Sequence, residues 1–341
     1  LPAEVAGGRK AVPPHPRFQA AGLPIVSVRS VQNVLFIGLV GLGWGLLGPA
    51  SKVLFAAQPG VIDGVTLAIA RSAWALPLFV LAIVVSWRAA APRLDARRWA
   101  AVIAAGLTFG LVISVVFSIA AQHTSVAHIS FLIGLSPVTN TALAALVFRT
   151  GLDRRAILAL VLGIAGVSLL ALSHSASGTA LLGDALMVVW LIAFAVYACL
   201  LRYVGTSVST LLLMSVVGAI GMAALLVPGL LLGYGGAIAH VTATPSAGGW
   251  FFGEVVVGST LVAPTAYAAT VRRLGVAVAT IGSEYFALAV GIVASLAAHE
   301  AWNPLTVVAG FILCGALAVT FAPIPSLSKP VVTRERGARV A

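Results

Sequence analysis

Ten apolar runs divide this chain, at roughly 31–54, 61–86, 99–120, 125–147, 156–172, 180–201, 207–232, 250–270, 276–298 and 304–323. Most approach the ~20 residues that carry an α-helix across a bilayer core. The pattern predicts an all-α integral membrane protein with ten transmembrane helices. The gaps are mostly short and insert no soluble domain. The longest, 233–249, is rich in Gly, Thr and Ser, contains Pro245 and reads as a loop. A polar break at 173–179 splits the ten runs into two fives. Because five is odd, two copies of one five-helix unit enter the membrane from opposite sides, the inverted-repeat condition of many secondary transporters.

Internal similarity points the same way. In each half the last two runs form a span, a short polar break and a span rich in small residues, and the first run holds a central tryptophan, Trp44 or Trp190. The expected organisation is a flexible tail at 1–30, a five-helix repeat at 31–172, a second at 180–323 and a tail at 324–341. Residues 1–30 hold Pro, Ala and scattered Arg without an apolar segment before a cleavage site, so they read as a tail and not a signal peptide.

Charge then orients the bundle. Of the 20 Lys and Arg residues, all but Lys52 and Arg71 fall in the terminal segments or in every second gap, and the other gaps hold none. Short Lys/Arg-rich loops stay on the cytoplasmic side, so both termini are expected in the cytoplasm. The Arg-rich, Ala/Gly/Val-rich composition suggests a bacterial inner membrane. The chain is 60% hydrophobic and only 9% charged, and its net charge of +11 is spread beside the spans instead of forming one patch. That is the placement anionic lipid favours, and it argues against nucleic acid as a partner. Cys199 and Cys314 both lie inside predicted spans and support neither a disulfide nor a metal site.

Several segments together resemble a known family. "WGLLGPASK" from Trp44 to Lys52 is similar to the first helix of EamA-type transporters of the drug/metabolite transporter superfamily. "PGVIDGVTLAIARSAWALP" resembles the second helix, with Arg71 at its arginine. "SPV" around Pro137 matches the fourth-helix proline, and His299–Glu300 matches the glutamate that closes the ninth helix. The resemblance covers about 31–323. Two departures stand out: Arg149–Thr150 occupies a place that often holds Glu, and "SEYFALAV" a place that often holds proline. The resemblance implies transport of amino acids, metabolites or drugs, without naming the solute.

Depth along each helix, at ~1.5 Å per residue, sorts the polar residues. Arg71 lies roughly 15 Å into its span and Glu284 roughly 12 Å into another. A charge there is costly and needs a cavity or a partner. Arg71 is a receptor for a substrate carboxylate or half of a static Arg71–Glu284 pair; Glu284, next to Tyr285, is a site for an amino group or a proton, or the other half; or each pairs separately with backbone carbonyls. Lys52 is close enough to a span end to snorkel. Asp63, Asp184, Glu254 and His128 follow outer entries, where capping, vestibule lining or solvation explains each; Glu254 and His128 are also candidates for proton coupling. Trp190, Phe194 and Tyr197, spaced four and three apart, share one helix face, and Trp44 and Trp74 add aromatic surface. These rings either pack against neighbours or line a cavity with Tyr285. Ser136 and Asn140 offer hydrogen bonds to a solute or to a facing helix. Gly41, Gly43, Gly45 and Gly48 with Pro49 serve as packing notches, hinges or both.

Nothing in the sequence supports an enzyme. It lacks a His-Glu-x-x-His pair, a P-loop and an Asp-rich metal pair, and "HSASG" at 174–178 has no Gly-x-Ser-x-Gly frame. No cofactor is implied. The expected function is export of amino acids or related amphipathic metabolites by alternating access, with drugs or other metabolites as the alternative, an intramembrane enzyme or a receptor as a remote one, and the bilayer and protons as partners. The charge asymmetry gives a first test. A single cysteine at Ser246 should react with an impermeant reagent applied from outside, whereas cysteines at Arg93 or Arg154 should be protected; the opposite labelling would invert the topology.

Overall fold

In the computed structural model the described residues are 28–87, 94–149, 151–152, 154–173, 178–205, 208–243, 245–274 and 276–321. Residues 1–27 of the first tail, the whole of the second tail and the 174–177 part of the mid-chain break lie outside them, while 28–30 already belong to the first helix. The described residues form helices and connections, with no strand among them. Eight segments are long and apolar enough to cross a bilayer: Val31–Ala57, Gly64–Trp87, Ala96–His123, Val126–Phe148, Arg154–Ser173, Thr179–Val204, Thr210–Leu231 and Ala247–Thr270. The last two runs of the sequence are α14 (Val276–Ala297) and α15 (Pro304–Phe321), with shorter apolar stretches at Gly282–Ala297 and Pro304–Val319. Val34, Leu146, Leu231 and Phe311 turn outward at 68%, 75%, 83% and 76% exposure, a surface that only a lipid environment tolerates.

Local chemistry explains where the helices start and bend. Asp63, Asp95, Ser125, Ser209 and Asn303 each accept a backbone N–H three residues on, capping α3 (Gly64–Trp87), α4 (Ala96–Leu107), α6 (Val126–Gly134), α10 (Thr210–Leu231) and α15. Prolines make the breaks. Pro49 has no N–H for the Gly45 carbonyl, and the first segment divides into α1 (Val28–Gly45) and α2 (Leu47–Ala57). Pro137 divides the fourth segment into α6 and α7 (Ser136–Phe148). Two segments widen into π-helical turns, Thr108–Ser114 before α5 (Val115–His123) and Phe251–Val262 before α13 (Ala263–Leu274). In each, a hydroxyl donates to the carbonyl five residues back, Ser114 to Phe109 at 3.0 Å and Thr260 to Val255 at 2.6 Å.

The gap at 233–249 differs from the expected loop. It folds into α11 (Gly235–Ala243) and α12 (Pro245–Trp250), and Gln58 Nε2 ties it to α2 through the His240 carbonyl at 2.9 Å. Its Gly and Thr residues made it look irregular, but Ala, Ile and Val between them give α11 an apolar face.

Packing is reciprocal. α8 (Arg154–Ser173) lies along α15, and α3 along α10; α1 packs on α13 and α14, while α9 (Gly178–Val204) packs on α4, α5 and α7. Small residues permit the closest approaches. Gly41 meets Phe286, and Gly45 the Ala287 carbonyl, where α1 crosses α14. Between α4 and its π-helical extension on one side and α10 on the other, Gly106 and Gly110 face Gly221 backbone to backbone; a Cβ on Gly221 would lie 2.8 Å from the Gly110 nitrogen. Gly221→Ala should therefore cost about 1–3 kcal/mol by overpacking and lower the melting temperature in detergent. Gly38→Ala, with nothing within 4 Å of the new carbon, should leave it unchanged.

Candidate functional site

The aromatic stripe of α9 faces inward. Trp190 stacks on Phe194 at 5.1 Å, Phe194 meets Tyr197 at 6.0 Å, and Trp44 comes edge-on to Phe194 from α1 at 6.0 Å. Tyr267 and Phe109 extend the wall, at 5.3 Å from Trp44 and 5.7 Å from Tyr197. Beside it lies a cavity of about 10 Å³, room for one water, lined by Phe79, Phe109, Tyr197, Met214, Gly218, Thr260, Pro264 and Thr265.

Thr260 joins this wall to the buried charges. Arg71 is 5% exposed in the middle of α3, and its Nε donates to Thr260 Oγ1 at 2.6 Å. The carboxylate whose charge acts on Arg71 is Glu254, six residues before Thr260 on the same π-helical segment. Glu254 is 9% exposed, and its Oε1 has no hydrogen-bond partner. It also borders an open hollow of about 390 Å³ with Gly249, Trp250 and Gly253. Thr260 thus links Arg71 to the aromatic wall, and Glu254 lies on the same helical segment.

The Arg71–Glu284 pair is absent. Arg71 is engaged by Thr260 on the Phe251–Val262 segment, whereas Glu284 on α14 faces Ser136 of α7. Depth placed both near mid-membrane, but rotation about the helix axes turns them to different neighbours. Trp74 stands apart too, 41% exposed and edge-on to Phe252 at 4.8 Å. Tyr285 is half-buried beside the buried Glu284, and Asn140 buries an Oδ1 without a partner.

Two polar assemblies occupy the end of the bundle where α5 meets α6 and α14 meets α15. In one, His128 Nδ1 pairs with Asp184 Oδ2 at 2.8 Å, Thr124 Oγ1 donates to Asp184 Oδ1 at 2.5 Å, and Ser173 Oγ lies 3.4 Å from His128 Nε2. In the other, Glu300 accepts from the N–H groups of Val126 and Ala127 at 2.8 and 3.1 Å and from Ser295 Oγ at 2.6 Å, while Trp302 Nε1 donates to Ser295 Oγ at 3.0 Å. Lys52, near enough to feel the Glu300 charge, donates to the Gln122 carbonyl at 3.4 Å. The contacts of Thr260, Asp184 and Ser173 were not legible in the sequence, since a Thr in a small-residue run and an Asp near a helix start have ordinary structural explanations.

The family model described as EamA-like transporter family matches residues 32–172. Those residues belong to the EamA-like transporter family. The family is one of membrane transporters, consistent with the drug/metabolite transporter superfamily. No curated protein matches the chain. A solved structure titled only "Crystal structure of protein" superposes with a TM-score of 0.54 over 84% of this chain and 94% of its own, at 16% identity; that likeness concerns the fold alone. Arg71 and Trp44 fall inside the EamA-like segment, and Glu254, Thr260 and Tyr197 outside it.

The Glu300 contacts are testable independently of solute. A carboxylate on two helix N-terminal amides contributes through charge-assisted bonds of ~1.5–3 kcal/mol each. Glu300→Ala should lower the melting temperature clearly, and Glu300→Gln, which keeps one acceptor oxygen, should lower it less.

Proposed function

We propose that this chain is a secondary transporter exporting amino acids, aromatic ones included, and related amphipathic metabolites by alternating access. The observation that carries the reading is Arg71. Its Nε is held by Thr260, and among the described residues no carboxylate is in ion-pair contact with the guanidinium. The terminal nitrogens supply the fork that grips a carboxylate. Glu254 is the complementary site for the solute ammonium or a proton, and Trp44, Trp190, Phe194 and Tyr197 are the surface for an aromatic or aliphatic side chain. That wall also supports the second reading, a drug or other metabolite of planar, apolar character.

The mechanism rests on ten helices arranged as two inverted repeats, 31–172 and 180–323. Reciprocal packing supports it: α1 stands to α13 and α14 as α9 stands to α5 and α7, while α3–α10 and α8–α15 pair across the halves. The π-helical turns before α5 and α13 fall at corresponding places. The proposed setting is a bacterial inner membrane with both termini cytoplasmic. Proton coupling, where it operates, would use Glu254, His128 or Glu284, all of them buried.

Arg71→Lys tests the solute class in a liposome flux assay with the purified protein. Lys keeps the charge but cannot reproduce the two-pronged bond. The variant should fold, lose most transport of carboxylate-bearing solutes and lose less for their amides. Equal loss for both, with a lower melting temperature, would reduce Arg71 to scaffold.

A further inference from the structure

Glu284 is 2% exposed on α14, and no basic side chain among the described residues makes an ion pair with it. A buried carboxylate at that depth has to be neutralised. Its polar neighbour is a hydroxyl. Ser136, 1% exposed on α7, faces the Glu284 carboxyl, yet Ser136 Oγ and Glu284 Oε2 are both without a hydrogen bond. Asn140, one turn further on the same face of α7, buries an Oδ1 that is equally unpartnered.

The backbone adds more. Pro137 has no N–H to give the Ile133 carbonyl four residues back. The next N–H, of Val138, bonds Leu135 at 3.0 Å instead of Gly134. The Gly134 carbonyl, at the C-terminal end of α6 and the negative end of its dipole, thereby loses its regular donor, and the Ile133 carbonyl is left with the Leu135 N–H. Gly134 looks toward α14, where a Cβ would meet the Leu288 side chain at 3.4 Å, one turn from Glu284.

A proton would neutralise the carboxyl and pair it with Ser136, but it would leave the Asn140 oxygen orphaned. A small metal cation answers both conditions, because it is compact and binds several oxygens at once. We propose that Glu284, Ser136, Asn140 and the carbonyls of the α6–α7 break form a binding site for a dehydrated alkali cation of sodium's size. Broken helices whose freed carbonyls hold sodium or protons are a general device of membrane transporters. The proposal goes beyond the transport reading, and it assigns Glu284 a metal cation in place of a proton.

The test uses the purified full chain in detergent at mildly alkaline pH without solute, with choline replacing sodium at constant ionic strength. Sodium should raise the melting temperature saturably, as a ligand of the folded state does, and radioactive sodium should bind with the same midpoint. Glu284→Gln should abolish both signals, and Ser136→Ala or Asn140→Ala should weaken the midpoint about tenfold, the size of one lost charge-assisted contact. If Glu284→Gln does not fold, sodium binding to the unaltered protein and the Ser136→Ala shift decide. Equal stability in sodium and choline, wild-type sodium binding by Glu284→Gln, or stabilisation by acid alone would overturn the proposal. Because no flux is measured, its failure leaves the transport reading untouched, and a failed flux assay leaves this site untouched.

Discussion

Hydrocarbon offers no hydrogen bonds, and every polar group in this bundle has to find its partner in protein. Most hydroxyls meet the condition locally: Ser51, Ser72, Ser130, Ser215 and Thr270 each donate to the carbonyl four residues back. The charged groups cannot, and they are gathered into seams between helices. Arg71 reaches Thr260 across one seam, His128 meets Asp184 in another, and Glu300 closes a third by accepting the first amides of α6. The features that look functional are thus places where the bilayer has driven polarity inward and the neighbouring helix has supplied a match.

The π-helical turns and the proline breaks serve this matching. Thr260 donates to Val255, five residues back, and its oxygen in turn accepts from Arg71; a regular turn would direct that bond to the fourth residue. The same segment carries Glu254, so its wide turns set two polar groups near one arginine. The aromatic wall gives the region its apolar side, through edge and stacked contacts that bring α1 to α9.

Much of this was legible in the sequence because it depends on distance along a helix. Run lengths gave the eight long apolar helices, and spacings of four and three put Trp190, Phe194 and Tyr197 on one face. Depth identified Arg71 and Glu284 as groups in need of partners. Rotation about each axis was not legible. It depends on which small residues let which neighbour approach, and it separated Arg71 from Glu284 and turned Trp74 outward. Asp184 was misjudged for a related reason: its position one turn inside α9 suits solvation, but its side chain points under α6, where His128 waits. The α11–α12 segment was hidden by Gly and Thr residues whose turn-forming preference the surrounding packing overrides.

The seam of Gly106, Gly110 and Gly221 has a mechanical meaning. Where Gly110 meets Gly221 backbone to backbone, with the Ile220 side chain closed over Gly106 beside them, the joint has little slack to take up. The paired segments slide or tilt only together, and α3, packed along α10, travels with them. Compliance is left to the places where the hydrogen-bond ladder is already interrupted, at Pro49 between α1 and α2 and at Pro137 between α6 and α7. The molecule divides into a stiff plate and two jointed arms, and the arms carry Trp44, Ser136 and Asn140.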